Sequence, residues 1–303
     1  MGDRSKIEWT QATWNPIRGC SMVSAGCENC YAMKQAHRFA GPGKAFEGLT
    51  EIGPTGPRWT GSIRLVPELL DQPLRWKKPR MIFVNSMSDL FHEDVPDNFI
   101  MDVWIKMQKA RHHTFQILTK RPERMQKLLS YWDRTVTREP GPYPLPNVWL
   151  GVSVEGQKMA DERIPVLLQT PAMVRWVSAE PLLGPINFCI PLTEQDGTQR
   201  INYRVNSFFS TRAPNDKRPG LHWVIVGGES GPHARPCQIG WIRDIINQCK
   251  ATGVPCFVKQ LGKSPEGTIV GGTISDRPIR LYDHKGGDPS EWPSDIRVRE
   301  FPR

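Results

Sequence analysis

The sequence predicts an α/β fold of parallel strands, a TIM-like (βα) barrel, full or partial, with long irregular loop insertions. Three observations predict it. Short runs of β-branched and apolar residues alternate along the chain with helical patterns, which is the grammar of a parallel sheet with helical crossovers. These runs end in polar residues, among them Asp89, Lys120, Glu155, Glu180 and Glu229, and the loops that follow the strands of such barrels gather at one mouth. The length, 303 residues, suits a single barrel domain over 1–303 with its core at about 5–262. A doubly wound open sheet is the runner-up.

In chain order, residues 7–18 read as a first strand with a turn at Asn15-Pro16 that delivers the backbone to a cysteine loop. Tyr31 to Ala40 has helical composition and is closed by Gly41-Pro42-Gly43. Residues 41–62, rich in Gly and Pro and without periodicity, read as an ordered surface loop; an edge strand at 59–65 and a short helix at 67–74 follow. The repeated units begin with a strand at Met81 to Ser86 and a helix at 97–111. A strand at Thr114 to Leu118 ends in Thr119-Lys120-Arg121 and leads to a Pro-started helix at 122–131. The next strand, Val148 to Val154, precedes a helix at 158–168, and Val174 to Val177 ends in Ser178-Ala179-Glu180. His222 to Val226 runs into Gly227-Gly228-Glu229, followed by a helix at 239–251, and Pro255 to Lys259 is the last strand. Outside this grammar stand a Pro-rich connector at 132–147, an insertion at 190–220 and a tail at 263–303 that reads as irregular structure packed over the barrel.

Charge and cysteine usage narrow the class. Forty basic and thirty-one acidic side chains leave a net charge of +9, which favours polyanionic partners. An apolar leader is not seen at Met1 to Lys6, and no run approaches a membrane span. The seven cysteines, an odd number, read as reduced thiols, so the expected setting is cytoplasmic and free of membrane. The insertion interleaves Phe208 and Phe209 with Arg200, Arg204, Arg212, Lys217 and Arg218. Aromatics among basic residues stack on bases while neutralising phosphates, and a plain surface hairpin is the alternative.

Three of the cysteines, Cys20, Cys27 and Cys30, lie within eleven residues as C-x6-C-x2-C. A disulfide would leave one sulfur over, and no fourth ligand follows at zinc-finger spacing; His37 is the nearest histidine. Three readings remain open: an iron–sulfur cluster with one open iron, zinc completed by a remote ligand, and a redox thiol site. Because the loop follows the first strand, it belongs at the mouth with the polar strand ends, which favours an open catalytic cluster over a closed structural zinc.

Trp14-Asn15-Pro16, Gly19-Cys20, Gly26-Cys27, Cys30-Tyr31-Ala32, Asp89-Leu90-Phe91-His92, Thr119-Lys120-Arg121-Pro122, Gly151 to Glu155, Ala179-Glu180-Pro181-Leu182 and Gly227 to Gly231 together resemble the phage Gp37/Gp68 family, whose members resemble radical S-adenosylmethionine enzymes. The resemblance implies that Cys20, Cys27 and Cys30 hold a 4Fe-4S cluster whose fourth iron is chelated by S-adenosyl-L-methionine. Cleavage of the sulfonium, driven by an external electron donor, would yield a 5'-deoxyadenosyl radical that abstracts hydrogen. The commonest superfamily spacing is C-x3-C-x2-C with an aromatic just before the last cysteine; here the first gap is longer and the aromatic is Tyr31.

Under this resemblance Ser86, Ser88 and Asp89 accept from the methionine amino group, Ser153 and Glu155 suit the ribose hydroxyls, and Tyr31 and Glu180 complete the cofactor contacts. Gly227 and Gly228 read as backbone in close approach to cofactor or substrate, or as a plain tight turn. Lys120 and Glu229 are the candidate catalytic groups, with Cys237 as the thiol that returns a hydrogen atom. Lys120, Arg121 and Lys259 pair with a carboxylate or phosphate of substrate, or form salt bridges at the mouth with Glu155 or Glu180. The expected function is a radical S-adenosylmethionine enzyme acting on nucleic acid or a nucleotide, in base modification or photoproduct-lyase-type repair. A zinc-stabilised nucleic-acid-binding protein without redox chemistry is the alternative.

Overall fold

The computed structural model describes residues 4–54, 56–135, 144–188, 192–193, 199–200, 220–267 and 281–302. The chain divides into two compact units, one of residues 1–152 with 170–173 and one of residues 153–169 with 174–303. Seven strands run through them in one parallel series: β1 (Ala12–Trp14), β2 (Met81–Val84), β3 (Thr114–Thr119), β4 (Val148–Ser153), β5 (Val174–Ala179), β6 (Trp223–Gly227) and β7 (Cys256–Gln260). Their order along the sheet is their order along the chain. A doubly wound sheet reverses direction at a switch point; this order has no reversal, and the runner-up is set aside. The class is α/β with parallel strands, as expected.

In the first unit β1 pairs with β2, β2 with β3 and β3 with β4, placing Trp14 beside Val84, Val84 beside Ile117 and Thr119 beside Val152. Parallel neighbours need long crossovers, supplied by α2 (Asp97–Lys109) and α3 (Pro122–Thr135) after α1 (Tyr31–His37). Helix α2 buries Phe99, Ile100, Val103, Trp104 and Met107, a stripe at helical period that packs one face inward. Pro122 opens α3, where its missing N–H costs nothing.

The β1–β2 connection departs from expectation. Residues 41–62 contain a hairpin in which Thr50–Gly53 pairs antiparallel with Gly56–Trp59; its arms are too short and too exposed to show alternation, and their Gly and Pro content reads as loop. The expected edge strand is only Arg64–Leu65, paired with Ile17–Arg18. The expected helix at 67–74 is a 3-10 turn at Pro67–Leu69 and a separate single turn at Gln72–Arg75. Pro73 starts the second and cannot continue the first.

In the second unit the Val154 N–H donates to the Ser178 carbonyl, β5 pairs with β6 and β6 with β7, and α4 (Gln157–Leu168) and α5 (Ile239–Thr252) supply the helical layer. All of β6 is buried, the continuous apolar run of a sheet covered on both faces. Gly253 adopts φ +71° and stops α5, the left-handed cap that glycine supplies most cheaply. The tail does not only lie over the sheet. Val258 N–H donates to Val298, Glu300 N–H donates to Cys256, and Phe257 bridges Arg299 antiparallel, so residues 298–300 cover the outer edge of β7, which would otherwise expose unpaired backbone. Within the insertion, Leu192–Thr193 pairs antiparallel with Gln199–Arg200. No described helix is long and apolar enough to cross a membrane.

Candidate functional site

The cysteine loop leaves β1 alongside the segment that follows β2. Gly19 bridges Ser88 in parallel, the Ser88 hydroxyl donates to Ile17 O at 2.9 Å, and Asn15 Oδ1 accepts from Ser86 Oγ at 3.1 Å and Met87 N at 3.2 Å. Gly19 has φ +87°, and a Cβ there would lie 2.3 Å from Ser62 O, so both conformation and space exclude a side chain. A 3-10 turn, Ala25–Cys27, leads to Cys30 at the N-cap of α1. All three thiols are free and partly exposed. Cys20 and Cys30 rest against an apolar cluster containing Met33, Phe46, Leu49 and Met87.

Burial, then the charge of Asp89, pushes the Cys20 thiol up to about 12; Cys30 is raised chiefly by burial, against hydrogen bonds from the first turn of α1. The thiols of Cys20 and Cys30 feel the other cysteines' charge, and Cys30 also feels Lys120. A metal taken up by these thiols would displace their protons. Among the described residues no three His, Cys, Asp or Glu side chains converge closely enough to hold a metal ion ready-made. The donor set nevertheless suits a thiophilic centre: three soft sulfurs on one loop. His37, the nearest histidine in sequence, holds its Nδ1 3.0 Å from Thr50 Oγ1.

Around this loop the ends of β2 and β3 are knitted together. Asp89 accepts from Thr119 Oγ1 at 2.7 and 2.9 Å, Lys120 N at 3.1 Å, Phe91 N at 3.0 Å and Arg121 Nη1 at 3.2 Å. Arg121 also donates through Nε to Glu93 at 2.6 Å and through Nη2 to Ser21 Oγ at 2.6 Å. Ser21 Oγ meets His92 Nε2 at 2.9 Å and Glu93 at 3.2 Å, while Lys120 Nζ reaches Ser24 Oγ at 3.4 Å. Arg124, in the first turn of α3, donates to the His92 and Val95 carbonyls and to Asp97. Hydrogen bonding to Arg121 holds Glu93 down at about 2, and burial lowers His92. Tyr31, half exposed, donates its hydroxyl to Ser86 O at 3.0 Å. Asn85, with φ +59°, is 3% exposed, and both polar atoms of its amide are buried without a partner among the described residues.

The other expected residues form a second set, within the second unit. The Ser153 carbonyl accepts from Arg163 Nη1 at 2.7 Å, and Arg163 stands 3.3 Å from Glu155, both side chains being buried. Lys259 Nζ lies 3.1 Å from Glu180, which also accepts from Ser178 Oγ; of the two readings for Lys259, the structure has the salt bridge. A Cβ on Gly227 would fall 2.8 Å from Glu180 Oε1, and one on Gly228 would fall 2.1 Å from Leu261 O. Both glycines thus serve a close approach of the chain to itself, with Gly228 N donating to Gln260 O and Gln260 Nε2 donating back to Gly228 O. Glu229 accepts from Arg235 N at 2.9 Å, Nε at 3.0 Å and Nη2 at 2.6 Å. Cys237 is 1% exposed, and burial pushes its thiol up to about 12. Arg200 belongs to a two-residue strand; Arg204, Phe208, Phe209, Arg212, Lys217 and Arg218 lie outside the described residues.

Residues 4–283 match the profile of a family described as a protein of unknown function, DUF5131. The chain belongs to this family. No curated protein and no solved structure matches it significantly.

In this DUF5131 chain the structure brings Tyr31, Ser86, Ser88, Asp89 and Lys120 to the cysteine loop, all within the first unit. Sequence reasoning gave no site role to Ser21 or Glu93 and took His92 only as part of the motif Asp89 to His92; their polar contacts join residues 71 and 72 positions apart, which the sequence does not show. Arg121 pairs with Asp89 and Glu93, carboxylates of its own unit. Asn85 also escaped notice, since an orphaned amide is visible only where burial is known; the sequence reading carried the strand on to Ser86, and the structure ends it at Val84, just before Asn85.

Proposed function

We propose that this protein is a radical S-adenosylmethionine enzyme in which Cys20, Cys27 and Cys30 hold a 4Fe-4S cluster, on a partial TIM-like barrel. One observation carries the reading: the loop after β1 that bears the three cysteines is tied to the polar ends of β2 and β3, through Gly19 beside Ser88, Ser21 to Arg121 and Ser24 to Lys120. Strand ends are where α/β enzymes of this winding place their chemistry. Three protein sulfurs would leave one iron open to a chelating ligand. When bound, the cluster and S-adenosyl-L-methionine supply reductive cleavage of the sulfonium and a hydrogen-abstracting radical, with electrons from an external donor.

The chain's own share is binding and exclusion of water. Cys20 and Cys30 rest on an apolar floor of Met33, Leu49 and Met87. Asn85, orphaned and backbone-strained, is suited to take a hydrogen bond from a bound molecule, since a buried amide without a partner costs about 1–3 kcal/mol. Tyr31, half exposed beside Cys30, can lie against a planar group. For the substrate we propose nucleic acid or a nucleotide, supported by the net charge of +9 and by the basic and aromatic residues of 190–220.

Anaerobic reconstitution with iron and sulfide tests the reading. The expected product is a brown protein with about four irons per chain that, given reductant and S-adenosyl-L-methionine, releases 5'-deoxyadenosine. A colourless protein that binds a single zinc and no iron would establish the zinc-stabilised alternative instead, and a fully loaded cluster that yields no 5'-deoxyadenosine would remove the mechanism.

A further inference from the structure

The six residues between Cys20 and Cys27 are the unusual feature of this loop, and the structure holds them at two points. Near one end Ser21, directly after Cys20, receives Arg121 Nη2 at 2.6 Å. Near the middle Ser24 receives Lys120 Nζ at 3.4 Å, and the Ser24 carbonyl in turn accepts from Cys27 N at 2.9 Å. Both cations come from the single step Thr119-Lys120-Arg121 at the end of β3.

That step is itself immobilised. Asp89 grips it through Thr119 Oγ1, the Lys120 N–H and the Arg121 guanidinium. The Arg121 side chain is 9% exposed and fills three directions of its fork, toward Asp89, Glu93 and Ser21. A planar fork engaged on three sides leaves its target little freedom. His92 and Glu93 also contact the Ser21 hydroxyl.

We infer that Arg121, with Lys120, is the brace that shapes the long arch between Cys20 and Cys27, so that Arg121 is a positioning residue for Cys20. The brace allows a loop three residues longer than the commonest superfamily spacing to present its first sulfur in a defined place before any metal arrives. It also sets two positive charges beside the sulfurs that a bound centre would hold as thiolates. This rests on the cluster reading for its second consequence, the tuning of a bound centre, but not for its first.

The test has two layers. In the metal-free chain, hydrogen exchange at the amides of Cys27, Glu28 and Cys30, which bond to Ser24, Ala25 and Cys27 carbonyls, is compared among wild type, Arg121→Gln, Arg121→Lys and Ser21→Ala. Loss of the brace is expected to speed exchange by about tenfold or more in all three variants. After anaerobic reconstitution, iron per chain and the midpoint potential are measured. Arg121→Gln is expected to lower iron content and make the potential more negative, because a positive charge beside the centre favours the added electron; Arg121→Lys is expected to restore the potential but not the loop protection. Wild-type exchange rates in Arg121→Gln or Ser21→Ala overturn the brace. Should Arg121→Gln not fold, Ser21→Ala, which removes one hydroxyl, decides alone. Should wild type take up no iron, the cluster reading fails, while the exchange comparison still decides the brace.

Discussion

The Arg121 guanidinium lies 3.2 Å from the Asp89 carboxylate, with both side chains less than a tenth exposed. This pair joins the end of β3 to the turn after β2; Asp89 also accepts from Thr119, Lys120 N and Phe91 N, and Arg121 also donates to Glu93. Removing Asp89 takes the buried carboxylate from Arg121 and strips Thr119 Oγ1 and the Phe91 and Lys120 N–H groups of their acceptor, a cost of about 3–5 kcal/mol. Asp89→Ala is therefore expected to lower the urea unfolding midpoint by that equivalent. A loss under about 1 kcal/mol would mean that the pair is solvated and structurally minor.

Each of Cys20→Ser, Cys27→Ser and Cys30→Ser should lose most of the iron that the wild type takes up, whereas Cys249→Ser should not. Cys249 is buried in α5, outside the first unit, and its thiol is raised well above the ordinary value by a hydrogen bond with Cys256 and by burial. Iron counted after gel filtration, with the visible absorption of the cluster, measures this. Chelation of the loaded wild type should in turn raise proteolysis within 20–30, since the metal holds sulfurs that otherwise do not converge.

Gly228→Ala should be among the most damaging single methyl additions. Its Cβ would fall 2.1 Å from the Leu261 carbonyl oxygen and 2.7 Å from its carbon, so one of two backbones must move. Overpacking typically costs about 1–3 kcal/mol, and a clash with backbone belongs at or above the upper end. Gly240→Ala, whose Cβ would meet nothing within 4 Å, should be neutral or slightly stabilising in α5. Thermal denaturation of the two variants side by side gives the comparison.

Acid should weaken the fold before carboxylates titrate. Burial holds His113 below the ordinary imidazole value, and burial together with the Arg175 charge lowers His222. His222 Nδ1 accepts from Arg175 N at 3.1 Å, so that nitrogen must be unprotonated. An unfolded imidazole takes up its proton near pH 6.5. Below that value the unfolded chain binds more protons than the folded one, and stability falls with pH. The melting temperature is expected to drop between about pH 7 and pH 5, and His222→Asn should flatten that slope.

If nucleic acid is the substrate, binding should be salt-sensitive and should weaken when Arg200, Arg204, Lys217 and Arg218 are neutralised together. Each lost phosphate contact lowers the salt slope by about one. Fluorescence anisotropy with single-stranded and duplex DNA and RNA across a salt series measures it. Unchanged binding in the neutralised variant, or none in low salt, would shift the substrate to a small molecule.

Much of the architecture was legible because it is written locally. The stripe from Phe99 to Met107, Pro122 at a helix start and Gly253 at a helix end each act over a few residues, and their elements fall within a few residues of expectation. The hairpin at 50–59 and the tail at 298–300 were not legible. Their pairing partners are chosen by backbone hydrogen bonds that leave no pattern in side chains, and Phe257 with Arg299 is a contact across more than forty residues.

By itself the sequence determined the parallel α/β class and the three cysteines, because periodicity and thiol chemistry belong to residues and not to their neighbours. Only the tertiary structure decided the sequential strand order, and only it showed which cations serve the loop. Lys120 and Arg121 stand together in the chain with Asp89, Glu93, Ser21 and Ser24 far away, and a salt bridge or hydrogen bond is specified by distance through space. It also decided that Lys259 answers Glu180, Arg163 answers Glu155 and Arg235 answers Glu229. The sequence offered a salt bridge to Glu155 or Glu180 as one of two readings without choosing the cation, and it named no partner for Glu229; full or partial burial of the carboxylates favoured a cation beside each.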